Sequence, residues 1–217
     1  MLTAENFLQT ASGSGHISDF PDIDGIYRQS LLLIKTDTLY LPSLYFSAFL
    51  DNINISFNEI KIDWGSKIII PSLPHSWINH DIEIPIDESG RTRIPFKDKW
   101  SDDFPNISFN TFQTLSCYQS QKGLRFDFFE RKFVVVGDVS TGITDIGNTS
   151  LNQTSPLVSI QANMLHALLT NTFFSNWNNI NIILLLLGLI ALLTISTLFS
   201  EIRIFYSSFV LLTLLLL

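Results

Sequence analysis

Cysteine is almost missing from this chain: Cys117 is the only one, so no disulfide can close within it and no cysteine-based zinc spacing exists. The redox compartment is left open, and Cys117 reads as a small buried hydrophobe. Positive charge is missing over a long stretch, with not one Lys or Arg from Phe133 to Glu201. Also absent are a Gly-x-Ser-x-Gly nucleophile turn, a phosphate-cradling glycine loop and a Cys/His nucleophile pair, so the common hydrolase and nucleotide-binding signatures have no residues to carry them. The histidines do not fill the gap. His75 and His80 stand five apart in a loop containing Pro74 and Trp77 with no third ligand evident, while His16 and His166 are isolated. Residues 1–15 are polar, with Glu5 but no basic residue and no apolar core, which excludes a signal peptide there. No repeat or low-complexity stretch precedes residue 179.

What the chain has in abundance is apolar sequence at its end. Residues 180–199 contain no Asp, Glu, Lys or Arg and have the length that crosses the hydrocarbon core of a bilayer. A polar turn follows at 200–203, then a second apolar run at 204–217, which as a helix reaches only about 21 Å against a core of roughly 30 Å. The expectation is a truncated second span, with the natural polypeptide continuing beyond it. Arg203 directly after the first span places the short turn in the cytoplasm and the large upstream part outside, and Trp177 fits the membrane interface. An outward domain in turn predicts a removed signal or helix upstream of Met1. Residues 1–179 suffice for one domain with a core of its own. The chain's net charge of −7 lies wholly in that part, which disfavours nucleic acid or anionic lipid surfaces as partners.

The coarse pattern is α/β, a mixed-sheet domain with crossover helices followed by transmembrane helices. Residues 26–34 look like a strand, 43–50 have the spacing of a short apolar helix face, and 53–70 carry β-rich pieces. Residues 82–94 read as two strands around the turn Asp87-Glu88-Ser89-Gly90. A short helix is expected at 108–115. Phe133-Val134-Val135-Val136, closed by Gly137, has the composition of a strand covered on both faces. Residues 158–169 follow with Ile160, Met164, Leu165, Leu168 and Leu169 at helical spacing, so that strand, loop and helix predict half of a parallel crossover unit.

Three segments in order carry a family resemblance: Gly15-His16-Ile17 leading to Asp22-Ile23-Asp24-Gly25-Ile26-Tyr27-Arg28 and Leu41-Pro42-Ser43-Leu44; Ile84-Pro85-Ile86-Asp87 with Gly90 and Ile94-Pro95-Phe96; and Lys132-Phe133-Val134-Val135-Val136-Gly137 with Gly142, Asp145, Pro156 and Gln161-Ala162-Asn163. Over most of residues 13–199 the chain resembles the CHASE type 2 domain, a cyclase- and histidine-kinase-associated sensory extracellular module. It departs from that pattern where Val158-Ser159 stand in place of a Gly before the last helix and Gln161 in place of a His before Ala-Asn. The resemblance implies an extracytoplasmic input domain in the inner (plasma) membrane, preceded by one membrane helix, followed by about three, and feeding a nucleotide cyclase, histidine kinase or Ser/Thr kinase. The cyclase is favoured on family association. By the same analogy the chain acts as a homodimer, without catalysis of its own, and responds to a small-molecule or protein signal.

Candidate ligand contacts are Gly137, Asp138, Ser140, Thr141, Gly142 and Asp145, which would lie at the carboxyl end of the expected parallel strand, joined by Asn163 of the third segment. The alternative is a turn held by glycine and Asx hydrogen bonds. Asp19, Asp22, Asp24 and Gly25 form an acidic loop without the Glu that closes an EF-hand, and Arg28 is expected to pair with one of its carboxylates. No metal set or cofactor motif is read from the residues. Two rival functions stay open: a tethered hydrolase using Asp138 and Asp145 as paired carboxylates, and a structural protein recruiting a partner through its acidic face.

Overall fold

A computed structural model describes residues 10–37, 39–72, 78–97, 104–122, 129–139, 145–174, 179–198 and 213–214. They belong to two compact units, Met1–Phe174 and Ser175–Leu217. In the first, isoleucine-rich segments build an antiparallel sheet of β5 (Lys61–Asp63), β6 (Lys67–Ile70) and β7 (Ile82–Pro85), with burial alternating along β6 and β7. Its register sets Ile68 against Ile84 and Ile70 against Ile82, all four buried, while Lys67 and Glu83 form an ion pair of 2.7 Å on the exposed face. A slip of one residue would turn all four isoleucines to water, so burial fixes this register.

The strand expected over 26–34 is broken into three: β1 (Ile26–Tyr27), β2 (Gln29–Leu31) and β3 (Leu33–Lys35). The physical cause is that each piece has its own partner. β2 pairs with β8 (Arg91–Arg93), β3 pairs with β4 (Tyr40–Pro42), and between them the Leu32 N–H donates to the Gly90 carbonyl. β1 runs parallel to β9 (Ile146–Thr149), which is antiparallel to β10 (Ser155–Pro156). The turn at 87–90 forms as expected: the Asp87 carboxylate accepts from the Ser89 and Arg91 N–H groups, and Gly90 has φ +78°. The two strands flanking it do not pair with each other, since β7 is taken by β6 and β8 by β2.

α1 (Leu44–Asn52) buries Tyr45, Phe46, Phe49 and Leu50 and packs on α3 (Val158–Thr170), which buries Ile160, Met164, Leu165 and Leu168. Leu169, expected on the same face, is exposed, and Ala167 is buried instead. α2 (Phe109–Lys122) runs beyond the expected 108–115 and carries Cys117, which is exposed rather than buried.

The largest departure is Phe133–Val136, which forms no strand. Among the described residues no strand lies beside it, and the run stays irregular and exposed, so the predicted crossover does not start there. Gly137 instead sits so close to Val158 that an added Cβ would stand 2.7 Å from the valine side chain.

In the second unit, α4 spans Asn179–Leu198. Over the described residues, no helix is long and apolar enough to cross a membrane.

Candidate functional site

Of the residues singled out in the sequence, Gly137, Asp138 and Asp145 are exposed, and Ser140, Thr141 and Gly142 lie outside the described residues, as does His75. Gly137 abuts Val158, and the Asp145 carbonyl accepts from the Leu157 N–H at 2.8 Å, so both border the start of α3. Asn163 is not on that surface. It is 1% exposed, its Oδ1 accepts from the Lys97 N–H at 3.1 Å and its Nδ2 donates to the Ser159 carbonyl at 2.8 Å, which pins residue 97 to α3. Asp138 and Asp145 stand in solvent, without the low-dielectric enclosure that a carboxylate pair needs to split its roles.

A polar cluster that sequence spacing did not reveal lies further inside. Asp19 turns away from the acidic loop: its Oδ1 accepts from Ser30 Oγ at 2.7 Å and from the Leu31 N–H at 2.8 Å, and its Oδ2 accepts from Gln161 Nε2 at 3.4 Å. Ser30 has one hydroxyl proton. When Asp19 is ionised that proton points to the carboxylate, so the 2.9 Å contact with Tyr45 has the tyrosine as donor. One carboxylate thus ties the amino-terminal segment to β2, through Ser30 to α1, and to α3. Burial pushes the Asp19 pKa up, opposed by the Ser30 and Leu31 hydrogen bonds and by the positive charge of Arg91. Burial likewise raises Tyr45, so it stays a neutral donor.

His16 flanks this cluster, bridged to Ser43 through the Pro42 carbonyl and the Leu44 N–H. Its pKa is lowered by burial. Its Nδ1 accepts from the Ser18 N–H at 3.3 Å, which puts the proton of the neutral ring on Nε2. Among the described residues, that Nε2, Ser43 Oγ and Gln161 Oε1 are buried atoms with no hydrogen-bond partner. The cluster holds a neutral imidazole, a shielded carboxylate, a tyrosine and the hydroxyls of Ser30 and Ser43.

At the surface the acidic loop behaves as its sequence predicts. Arg28 spans Asp22 at 2.9 Å and Asp24 at 2.8 Å. The guanidinium holds the Asp24 carboxyl below its usual range, and Arg28 is itself raised by the pair. Beside it an open depression of about 580 Å³ is lined by Pro21, Asp22, Ile23, Asp24, Arg28 and Arg91. No group of three or more His, Cys, Asp or Glu among the described residues is placed to hold a metal ion. His80 contacts Asn171 at 3.0 Å, at the left-handed end of α3.

What could have flagged Asp19 is its partner set, and that is long-range: Gln161 is 142 residues away. No local motif contains such a pair.

No curated protein and no solved structure matches the chain. The CHASE2 domain family matches residues 2–195, from ahead of the His16–Asp19 segment through most of α4. With nearly its whole length inside that match, the chain belongs to the CHASE2 domain family, extracellular sensory domains of signalling receptors.

Proposed function

We propose that this chain is the input module of a plasma-membrane receptor, with residues 1–179 outside the cell, residues 180–199 in the bilayer and a nucleotide cyclase as the cytoplasmic effector. The observation that carries this reading is the sequence that follows a sensory domain of this family. The described side chains of α4 fall short of a crossing, but residues 180–199 as a whole contain no charged residue and, as a continuous helix, measure about 30 Å, the thickness of a hydrocarbon core. Arg203 on the far side supports the orientation. Binding outside would bias two packings of the membrane helices, and these would set the spacing of the effector domains. Gly137, Asp138 and Asp145, with Ser140, Thr141 and Gly142, are the proposed ligand contacts; the amide of Asn163 is already engaged by Lys97 and Ser159.

The test is to sequence the native coding region on both sides of this chain. A membrane helix before Met1 and a cyclase domain after Leu217 support the reading, and a kinase domain in that place changes the effector while keeping the receptor. A stop codon soon after Leu217 with no anchor upstream overturns it.

A further inference from the structure

The two guanidinium groups that line the depression beside the acidic loop are in different states. Arg28 is committed: it donates to Asp22 Oδ2 at 2.9 Å and to the two oxygens of Asp24 at 2.9 and 2.8 Å. Arg91 reaches the same depression from β8, half-buried, with its guanidinium over the Phe20 ring at 5.9 Å. A contact with a ring face uses the charge and none of the five N–H donors. Among the described residues those donors meet no acceptor, and no carboxylate stands within ion-pair distance of them. The planar fork is therefore open to a carboxylate from outside the chain.

The charges around it select what that carboxylate comes with. Asp22 and Asp24 set two negative charges against the one positive charge of Arg28, so excess negative charge shares the lining with the unpaired Arg91. Asp22 Oδ1 accepts no hydrogen bond from a described residue. A simple anion would face that excess negative charge, and a simple cation would face Arg91. A molecule with both an ammonium and a carboxylate matches both. Apolar surface adjoins the charges: Pro21 and Ile23 line the depression, Ile23 fully exposed, and Phe20 is 53% exposed. The volume of about 580 Å³ is that of a small-molecule site. Arg91 also pairs with Leu31 across β8 and β2, and Asp19 holds the Leu31 N–H, so the site borders the interior polar cluster.

We propose that this depression binds a free α-amino acid with an apolar side chain, its carboxylate on Arg91, its ammonium on Asp22 Oδ1 and its side chain against Ile23 and Phe20. The inference goes beyond the receptor reading: it stands whichever effector follows and whether or not residues 137–145 contact a ligand.

Saturation-transfer NMR on the full chain in detergent micelles tests it apart from any signalling output, with L-leucine as the probe. L-Leucine is expected to bind roughly tenfold tighter than 4-methylpentanoate, which lacks the ammonium, and than 3-methylbutylamine, which lacks the carboxylate. That comparison needs no variant to fold. Arg91→Ala should weaken L-leucine roughly tenfold, and Arg91→Lys, which keeps the charge but not the fork, should recover only part of the loss. Asp22→Asn should weaken L-leucine without weakening 4-methylpentanoate, while Arg28 keeps its bonds to Asp24. Either analogue binding as tightly as L-leucine overturns the proposal, as does L-leucine binding that survives Arg91→Ala in a chain melting at the parent temperature. So does the lack of a saturable L-leucine signal up to about 10 mM, a range in which water-exposed ion pairs still register.

Discussion

Asp19 shows how one side chain makes distant segments interdependent. Its folded-state pKa is raised, so the protonated form is the one favoured by folding. The associated stability is fully present below the unfolded pKa of about 4 and is lost as pH rises through the folded pKa. Asp19→Asn removes the buried charge and keeps an oxygen for Ser30 and Leu31, while its new N–H₂ replaces the oxygen that accepts from Gln161 Nε2 and is satisfied once the Gln161 amide turns over to present its unpartnered Oε1. Urea unfolding should therefore find the Asp19→Asn variant gaining on the parent between pH 4 and pH 7, and a gain that shrinks over that interval would contradict the assigned direction. Asp19→Ala leaves the Leu31 N–H and Ser30 hydroxyl without their acceptor, an expected loss of about 1–3 kcal/mol at pH 4. Arg28→Ala, by contrast, removes an ion pair in open water and should change stability by less than about 1 kcal/mol in the same titration.

At the scale of elements, two glycines with nearly equal φ separate conformational cost from steric cost. Gly25 has φ +79° and open space where a Cβ would go, whereas a Cβ on Gly90, at φ +78°, would run into the Leu33 carbonyl oxygen and the Trp64 ring. Gly25→Ala is expected to lose about 1 kcal/mol, the left-handed penalty alone, and Gly90→Ala clearly more, because the turn between β7 and β8 would also have to move off β3. Equal melting-temperature losses for the two would refute that placement of the turn. In the β5-β6-β7 sheet, Ile84→Ala removes a fully buried side chain from its place opposite Ile68, with an expected loss of about 2–5 kcal/mol by urea unfolding.

For the whole molecule, the receptor reading makes α4 the element that decides where the chain resides. Leu187→Arg, a charge near the middle of its apolar run, is expected to oppose insertion by about 3 kcal/mol and shift the chain from the carbonate-resistant membrane fraction to the supernatant. If parent and variant partition alike, α4 is not the anchor.

The amino-acid sequence by itself determined the elements whose cause is local. The 3.6-residue spacing gave α1 and α3, β-rich composition gave β6, the turn residues Asp87 and Gly90 gave the strands on either side of them, and Arg28 found the nearest carboxylates, because each answer lies within a few residues of the question. The tertiary structure alone decided the rest. Propensity made Phe133–Val136 a strand, but a strand also needs a backbone beside it, and no local pattern supplies one. Asp19 shared a loop with Asp22 and Asp24 in the sequence, yet packing turned it inward onto Ser30, Leu31 and Gln161, since a carboxylate leaves water only where donors from separate elements converge on it.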